Sequence, residues 1–145
     1  ASLDWLLQQG FKPSDLIFYG GSLGGTIAAN LAVSYNPGCT VLVSAFTSFK
    51  DMAKKLYPWL PGTSFLTTKL DTLAHIKAST SALFVAHGTA DRLVPFAHGK
   101  ILHDACGAKK VFHVMKDLDH HHSPDPAFYE NLRHFLTHEL GFYSK

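Results

Sequence analysis

Residues 16–25 read LIFYGGSLGG, and they are the strongest indication of the fold. Its first part, residues 16–19, is an unbroken apolar run, which is typical of a strand buried on both faces. Residues 25–35, which follow, carry small and apolar side chains at helical spacing. Between the two stands a G-x-S-x-G motif centred on Ser22. A strand, a sharp turn and a helix in this order indicate an α/β fold with an exposed serine at the turn.

The serine turn has a chemical interpretation. A sharp turn at this place lifts the Ser22 hydroxyl above the carboxyl edge of the sheet, where it can act as a nucleophile. We expect the backbones to crowd there, so that a Cβ at Gly20 or Gly24 would clash. The Leu23 N–H, at the start of the helix, is expected to donate to an oxyanion. The alternative is a phosphate-cradling or merely tight turn; a dinucleotide fingerprint fits badly because G-x-G-x-x-G is absent.

Strands and helices alternate along the rest of the chain. Apolar runs predict strands at residues 16–19, 40–43, 82–86 and 111–115, and periodicity predicts helices at residues 1–9, 25–35, 49–56, 71–76, 96–105 and 126–138. Four strands joined by helices require a parallel sheet with right-handed crossovers. We therefore predict an α/β fold, with a parallel sheet of about four strands covered by helices on both faces, in one domain of residues 1–145.

Composition excludes several classes of protein. Hydrophobic types make up 46% of the chain and the net charge is +2, which excludes a disordered tail. No apolar run approaches the ~18–20 residues of a membrane span, and no cleavable signal pattern opens the chain. No basic stripe is present, so nucleic acid is not expected as a partner. The two cysteines, Cys39 and Cys106, are expected to be small buried hydrophobes and not a disulfide or metal pair.

A serine nucleophile needs a base, and the base needs an orienting acid. In doubly wound enzymes the acid and then the histidine follow the serine, each at the carboxyl end of a strand. Asp91 lies in the loop after the third predicted strand and is the expected acid; the alternative is a loop Asp that caps the next helix. The spacing after the fourth strand makes His120 the expected base, with His121 the next candidate. His113, inside that strand, is expected to be a packed or edge histidine.

The histidines at residues 120–122 have two other interpretations. They could form a solvated polar loop, or a metal site together with Asp117, Asp119 or Asp125. Adjacent histidines rarely point at one ion, and neither H-E-x-x-H nor paired cysteine spacing is present. We therefore expect no functional metal and no cofactor.

Three stretches resemble the α/β-hydrolase superfamily, and within it the abhydrolase-type serine hydrolases that include protein depalmitoylases and related esterases. They are IFYGGSLGG at residues 17–25, SAFTS followed by DMA at residues 44–53, and HGTADRLVP at residues 87–95. The resemblance extends over about residues 1–140. It implies an acyl-enzyme mechanism with Ser22 as nucleophile, His120 as general base and Asp91 as orienting acid.

The sequence departs from that family in two respects. The family usually has a glycine just before the base histidine, whereas this chain has Asp119, which puts a negative charge beside His120. Family members also carry four more strands before the serine turn and a loop that supplies a second oxyanion donor. The chain is therefore expected to be the C-terminal portion of a longer hydrolase, with the first strand left as an open edge.

Residues 45–69 are expected to lie on the side where substrate enters. They contain many large apolar side chains: Phe46, Phe49, Tyr57, Trp59, Leu60, Phe65 and Leu66. These either pack over the sheet or form an apolar lid or acyl pocket, which would suit an ester or thioester with a hydrocarbon acyl part. Lys54 and Lys55 lie either at the rim of this region or on a solvated helix face.

The sequence thus predicts a serine hydrolase of acyl esters or thioesters, with a small-molecule or lipid substrate and a cytoplasmic location. The alternative belongs to another class. It is a catalytically silent hydrolase-fold module that lacks a complete oxyanion hole and binds a partner, such as a second copy, through its open sheet edge.

Overall fold

The computed structural model of the chain describes residues 2–56, 59, 70–121 and 123–142. Within them, four strands form one parallel sheet in the order β1-β2-β3-β4. Their bounds are β1 Ile17–Gly21, β2 Cys39–Val43, β3 Ala82–Gly88 and β4 Lys110–Met115. The predicted four-stranded α/β fold is confirmed, with each strand one or more residues longer than its apolar run.

The helices also follow the predicted order. They are α1 Ser2–Gln8, α2 Leu23–Tyr35, α3 Phe49–Leu56, α4 Thr72–Ala78, α5 Phe96–Ala105 and α6 Pro126–His134, with a 3-10 turn at Pro13–Asp15. The single helix predicted at residues 126–138 is wrong in its last turn, because Phe135–Glu139 is π-helical. There the Thr137 hydroxyl donates to the Arg133 carbonyl, and the Leu140 N–H reaches the Phe135 carbonyl five residues back.

The core has two halves, one on each face of the sheet. On one face, Phe84 of β3 packs against Phe128 and Phe135, with ring centroids 5.7 and 6.0 Å apart. On the other face a second cluster joins the sheet to α2, α4 and α5; its buried members are Ala28, Ala29, Leu42, Ala45, Ile76, Leu83, Val85, Leu102 and Cys106. Helices therefore cover both faces, which explains why the central strands β2 and β3 are apolar without alternation.

Both cysteines lie in this core and neither forms a disulfide, as the sequence predicted. Burial raises the pKa of the Cys39 thiol to about 12. The thiol therefore stays protonated at neutral pH and packs as a small apolar group.

Strand β1 is an outer strand of the described sheet, and its surroundings are apolar and open. Tyr19, Leu23 and Ile27 expose 56%, 49% and 53% of their surface. Beside them a groove of about 360 Å³ is lined by Ile17, Phe18, Tyr19, Gly24, Ile27, Ala28 and Leu31. An unpaired strand edge next to exposed apolar side chains is a surface suited to contact with further polypeptide. In the described ranges no helix has the length and apolar character needed to cross a bilayer.

A Cβ clash was predicted at Gly20 and at Gly24, in the turn between β1 and α2, and the structure shows it at Gly20 alone of these two. A Cβ at Gly20 would collide with the Gly24 carbonyl and lie 2.6 Å from the Gly25 nitrogen. The same prediction for Gly24 is wrong, since a Cβ there meets nothing within 4 Å. Gly24 already lies inside α2 and faces open space, whereas a Cβ at Gly25 would come within 2.7 Å of the Ala45 Cβ. Gly20 and Gly25 therefore set the close approach of strand and helix.

These contacts predict opposite effects for two otherwise identical substitutions. Gly20→Ala should destabilise the fold by about 1–3 kcal/mol or more, because rigid backbone atoms occupy the place of the new methyl group. Gly24→Ala should leave stability unchanged or raise it by about 0.5–1 kcal/mol, because alanine favours the helix. Urea denaturation followed by circular dichroism measures both, and equal destabilisation of the two variants would contradict the assignment.

Candidate active site

Ser22 lies between the end of β1 and the start of α2 and has an unusual backbone conformation. Its φ is 50° and its ψ is −120°, a combination that costs a non-glycine residue free energy. Its N–H donates to the Val43 carbonyl (2.9 Å), and its own carbonyl accepts from the Gly25 N–H (3.0 Å). The neighbouring strand and the new helix therefore hold the turn from both sides, with the serine side chain half-buried at the N-terminus of α2.

Asp91 lies in the loop that follows β3 and is buried. Its Oδ1 accepts the N–H groups of Leu93 (3.0 Å) and Val94 (2.7 Å), which makes a compact side-chain turn. The alternative role as a helix cap does not apply, because the N-cap of α5 is Pro95. Both backbone donors contact one oxygen, so the second oxygen, Oδ2, is left for His120 (2.8 Å from Nδ1).

His120 lies in the loop that follows β4 and bridges the other two residues. Its Nδ1 is 2.8 Å from Asp91 Oδ2, and its Nε2 is 3.1 Å from Ser22 Oγ. A proton on Nδ1 is donated to the carboxylate, which leaves the Nε2 lone pair to accept from the serine hydroxyl. The structure thus brings the three predicted residues into one hydrogen-bonded chain, although 98 residues separate Ser22 from His120.

The other candidate histidines have different surroundings. His121 is exposed, and its ring packs edge-on against that of His120 with centroids 5.4 Å apart. His113 is buried, 3.3 Å from the Asp125 carboxylate and 2.9 Å from the Asn131 amide, so it is the packed histidine that the sequence predicted. His122 lies outside the described residues. In the described part of the chain, no group of three or more His, Cys, Asp or Glu side chains is placed to hold a metal ion.

His87, near the carboxyl end of β3, contacts Asp91, and the sequence motifs did not predict this contact. It is fully buried, with Nε2 2.9 Å from the Val94 carbonyl and 3.4 Å from Asp91 Oδ2. Burial lowers the pKa of His87, so the neutral ring donates its Nε2 proton towards these two oxygens. Its ring fits only because α5 has Gly99 opposite, where a Cβ would come 2.7 Å from Nδ1. The sequence signal that could have pointed to His87 is a histidine next to the end of an otherwise apolar strand.

Lys55 contacts the loop that carries Asp91, and the structure describes part of the predicted apolar region. The Lys55 ammonium donates to the carbonyls of Arg92 (3.0 Å) and Leu93 (2.8 Å), so it ties α3 to the loop that carries Asp91. Of the apolar side chains predicted to form a lid or to pack on the sheet, Phe46 is buried, while Phe49 and Trp59 are exposed. Tyr57, Leu60, Phe65 and Leu66 lie outside the described residues.

The burial of His87 predicts a pH dependence of stability. The folded state holds this ring neutral, whereas in the unfolded chain a histidine takes up a proton below about pH 6.5. Protonation of the unfolded state therefore lowers the free energy of unfolding as the pH falls below about 6.5. In denaturant titrations between pH 7.5 and 5, the free energy of unfolding should fall less for His87→Gln than for the original chain. His121→Gln, which changes an exposed histidine, is the control. Identical slopes in all three proteins would contradict the prediction.

The chain is similar in sequence to proteins from a bacterium and from human. No protein-family model matches it. It is 30% identical over 144 residues to an uncharacterized protein of Mycobacterium tuberculosis, covering 94% of this chain and 50% of the relative. It is 27% identical over 135 residues to human alpha/beta hydrolase domain-containing protein 17B, covering 90% of this chain and 44% of the relative. The chain thus spans about half the length of the curated relatives that it matches.

Solved structures of other proteins superpose on this chain. The acetyl xylan esterase from Paenibacillus sp. R4 superposes with a TM-score of 0.77 at 17% identity, over 94% of this chain and 49% of the esterase. At this identity the match is evidence about the fold, and the fold is the one that the serine turn and the alternating strands predicted. The chain therefore has the α/β-hydrolase fold, and it corresponds to about half of the alpha/beta hydrolase domain-containing proteins that it resembles.

Proposed function

We propose that this chain carries the reacting groups of a serine hydrolase that cleaves carboxylic esters or thioesters through an acyl-enzyme intermediate. One observation carries the proposal: Ser22 Oγ, the His120 imidazole and the Asp91 carboxylate form a continuous hydrogen-bonded chain, with 3.1 Å and 2.8 Å between the paired atoms. A nucleophile, a base in reach of its proton and an acid that orients the base are the parts that this chemistry requires.

In the first half of the proposed reaction, Ser22 Oγ attacks the substrate carbonyl carbon and transfers its proton to His120 Nε2. Asp91 stays ionised and stabilises the imidazolium that results. The tetrahedral intermediate collapses when the bond to the leaving oxygen or sulfur breaks, and His120 gives that atom the proton. The products are a free alcohol or thiol and an acyl group on Ser22.

In the second half of the proposed reaction, a water molecule is the nucleophile. His120 Nε2 accepts a proton from the water as its oxygen attacks the acyl carbon. The bond between the acyl carbon and Ser22 Oγ then breaks, His120 gives Oγ this proton, and the carboxylic acid is released. In both halves negative charge develops on the former carbonyl oxygen. The Leu23 N–H, in the first turn of α2, is the proposed donor to that oxygen, and the helix dipole assists it.

The substrate class follows from the surroundings of these residues. Exposed apolar side chains occur close in sequence to two of the three: Leu23 directly follows Ser22, and Leu93 lies two residues after Asp91. Apolar surface beside a polar reacting centre suits a hydrocarbon acyl part. The structural similarity to an acetyl xylan esterase supports ester cleavage as the reaction type.

The nucleophile can be tested without knowledge of the natural substrate. A fluorophosphonate probe should label the folded chain at Ser22, because the base that activates the hydroxyl towards esters also activates it towards phosphorus. Ser22→Ala should abolish the labelling. Ser44→Ala is the matched control, since Ser44 is another serine with positive φ, at 48°, that comes directly after a strand. A folded chain that the probe does not label at Ser22 would overturn the proposed nucleophile.

The base can be assigned by comparing neighbouring substitutions. His120→Ala should lower Ser22-dependent hydrolysis of p-nitrophenyl acetate by about 10³-fold or more, because it removes the proton acceptor. His121→Ala and His122→Ala should change the rate far less. Equal losses in the three variants would count against His120 as the base.

A second candidate function rests on a different observation, the open edge of β1 with its exposed Tyr19, Leu23 and Ile27. This surface favours a hydrolase-fold module that binds a partner, such as a second copy of the chain, without turnover. Light scattering after size-exclusion chromatography distinguishes the two. Self-association that Ile27→Glu abolishes, together with no Ser22-dependent hydrolysis, would favour the module; a monomer with such hydrolysis would exclude it.

A further inference from the structure

The residues proposed as acid and base lie on two loops that run side by side. The acid loop, residues 89–95, follows β3, and the base loop, residues 116–121, follows β4. Backbone hydrogen bonds join the acid loop to the end of β4, where the Thr89 N–H donates to the Met115 carbonyl (3.0 Å), and to the base loop, where the Ala90 N–H donates to the Leu118 carbonyl (3.1 Å). Next to Asp91, a side chain adds a further link between the loops.

That side chain is Asp119. Its Oδ1 accepts the Arg92 N–H (3.0 Å) from the acid loop and the His120 N–H (2.7 Å) from its own loop. Arg92 directly follows Asp91, so one carboxylate oxygen holds the backbone amides next to the acid and at the base. The amide of Arg92, followed by that of His120, lowers the pKa of the Asp119 carboxyl group, which is therefore ionised at neutral pH.

The position of this contact determines what it can do. The His120–Asp91 hydrogen bond crosses between the same two loops, with 2.8 Å between its atoms. If the loops move apart by a fraction of an ångström, this bond lengthens and the imidazole loses its orientation towards Ser22. Displacements of about 1 Å at a reacting centre can cost about 10²-fold in rate. A glycine, the residue that the resemblance leads one to expect here, has no side-chain acceptor to make the link.

We propose that Asp119 is a positioning residue: by accepting the amides of Arg92 and His120 on one oxygen, its side chain fixes the spacing of the acid and base loops and thereby the Asp91–His120 hydrogen bond. The expected effect of Asp119 on the reaction rate at Ser22 rests on the proposed serine hydrolase function. The geometric part of the proposal, the effect on the Asp91–His120 bond, is measurable without any reaction.

Three substitutions separate hydrogen-bond acceptance from charge. Asp119→Asn keeps an oxygen acceptor at the same position and loses the charge, whereas Asp119→Ala loses both. Asp117→Asn is the matched control for charge in the same loop, because it changes an exposed carboxylate and keeps the N–H that donates to Thr89 Oγ1 (2.8 Å). Asp119→Ser, too short to reach both amides, is the second truncation if Asp119→Ala does not fold.

The first measurement is proton NMR of the His120 Nδ1–H in a Ser22→Ala background, where no reaction is possible. A proton held between an imidazole and a carboxylate exchanges slowly and resonates far downfield. We expect the Asp119→Asn and Asp117→Asn proteins to keep this resonance. The Asp119→Ala protein should lose it through exchange or shift it upfield, with unchanged far-ultraviolet circular dichroism. An unaltered resonance in folded Asp119→Ala protein would overturn the proposal.

The second measurement is the rate of fluorophosphonate labelling of Ser22 in the chain with its serine intact. Asp119→Ala should lower this rate roughly 10- to 100-fold, and Asp119→Asn should restore most of it. A loss as large with asparagine as with alanine would overturn the proposal, because it would show that charge and not hydrogen-bond acceptance matters. If the original chain is not labelled at all, the proposed function fails, and the NMR comparison still decides the role of Asp119.

Discussion

The parallel register of the sheet is the constraint on which the site depends. Gly21, Val43 and Ala86 lie opposite one another across β1, β2 and β3, and Gly88 of β3 lies opposite Met115 of β4. Since all four strands run in one direction, the segments that follow β1, β3 and β4 leave the sheet at the same edge. Residues far apart along the chain therefore meet there. A shift of one strand by a single residue would separate them.

Packing at that edge offsets the cost of an unfavourable backbone. Ser22 holds a positive φ because the Val43 carbonyl and the first turn of α2 both bind its peptide groups, and because Gly20 lets the helix approach the strand. The acid is held more extensively. His87 contacts Asp91 from within the sheet, and Lys55 ties the same loop to α3. The proposed reacting groups are thus positioned by neighbours that take no part in the proposed chemistry.

The sequence predicted the four strands and the six α-helices of the described fold because burial on both faces leaves a strong signal: unbroken apolar runs for strands and helical spacing between them. It also singled out Ser22, Asp91 and His120, because a strand end followed by a short loop limits where a side chain can lie. It was wrong about Gly24, whose surroundings depend on how α2 packs. It was also wrong about residues 135–138, which follow α6 as a π-helical turn where the Thr137 hydroxyl competes for a backbone carbonyl.

Local sequence patterns were enough to predict the order of elements, the serine turn and the loops that could carry acid and base, because each depends on residues close together in the chain. Three features became visible only in the folded structure: which histidine faces Ser22, the contact of His87 with Asp91, and the link that Asp119 makes between two loops. These are contacts between residues brought together by strand register and helix packing. Their distances depend on ångström-scale placement, which no spacing along the chain encodes.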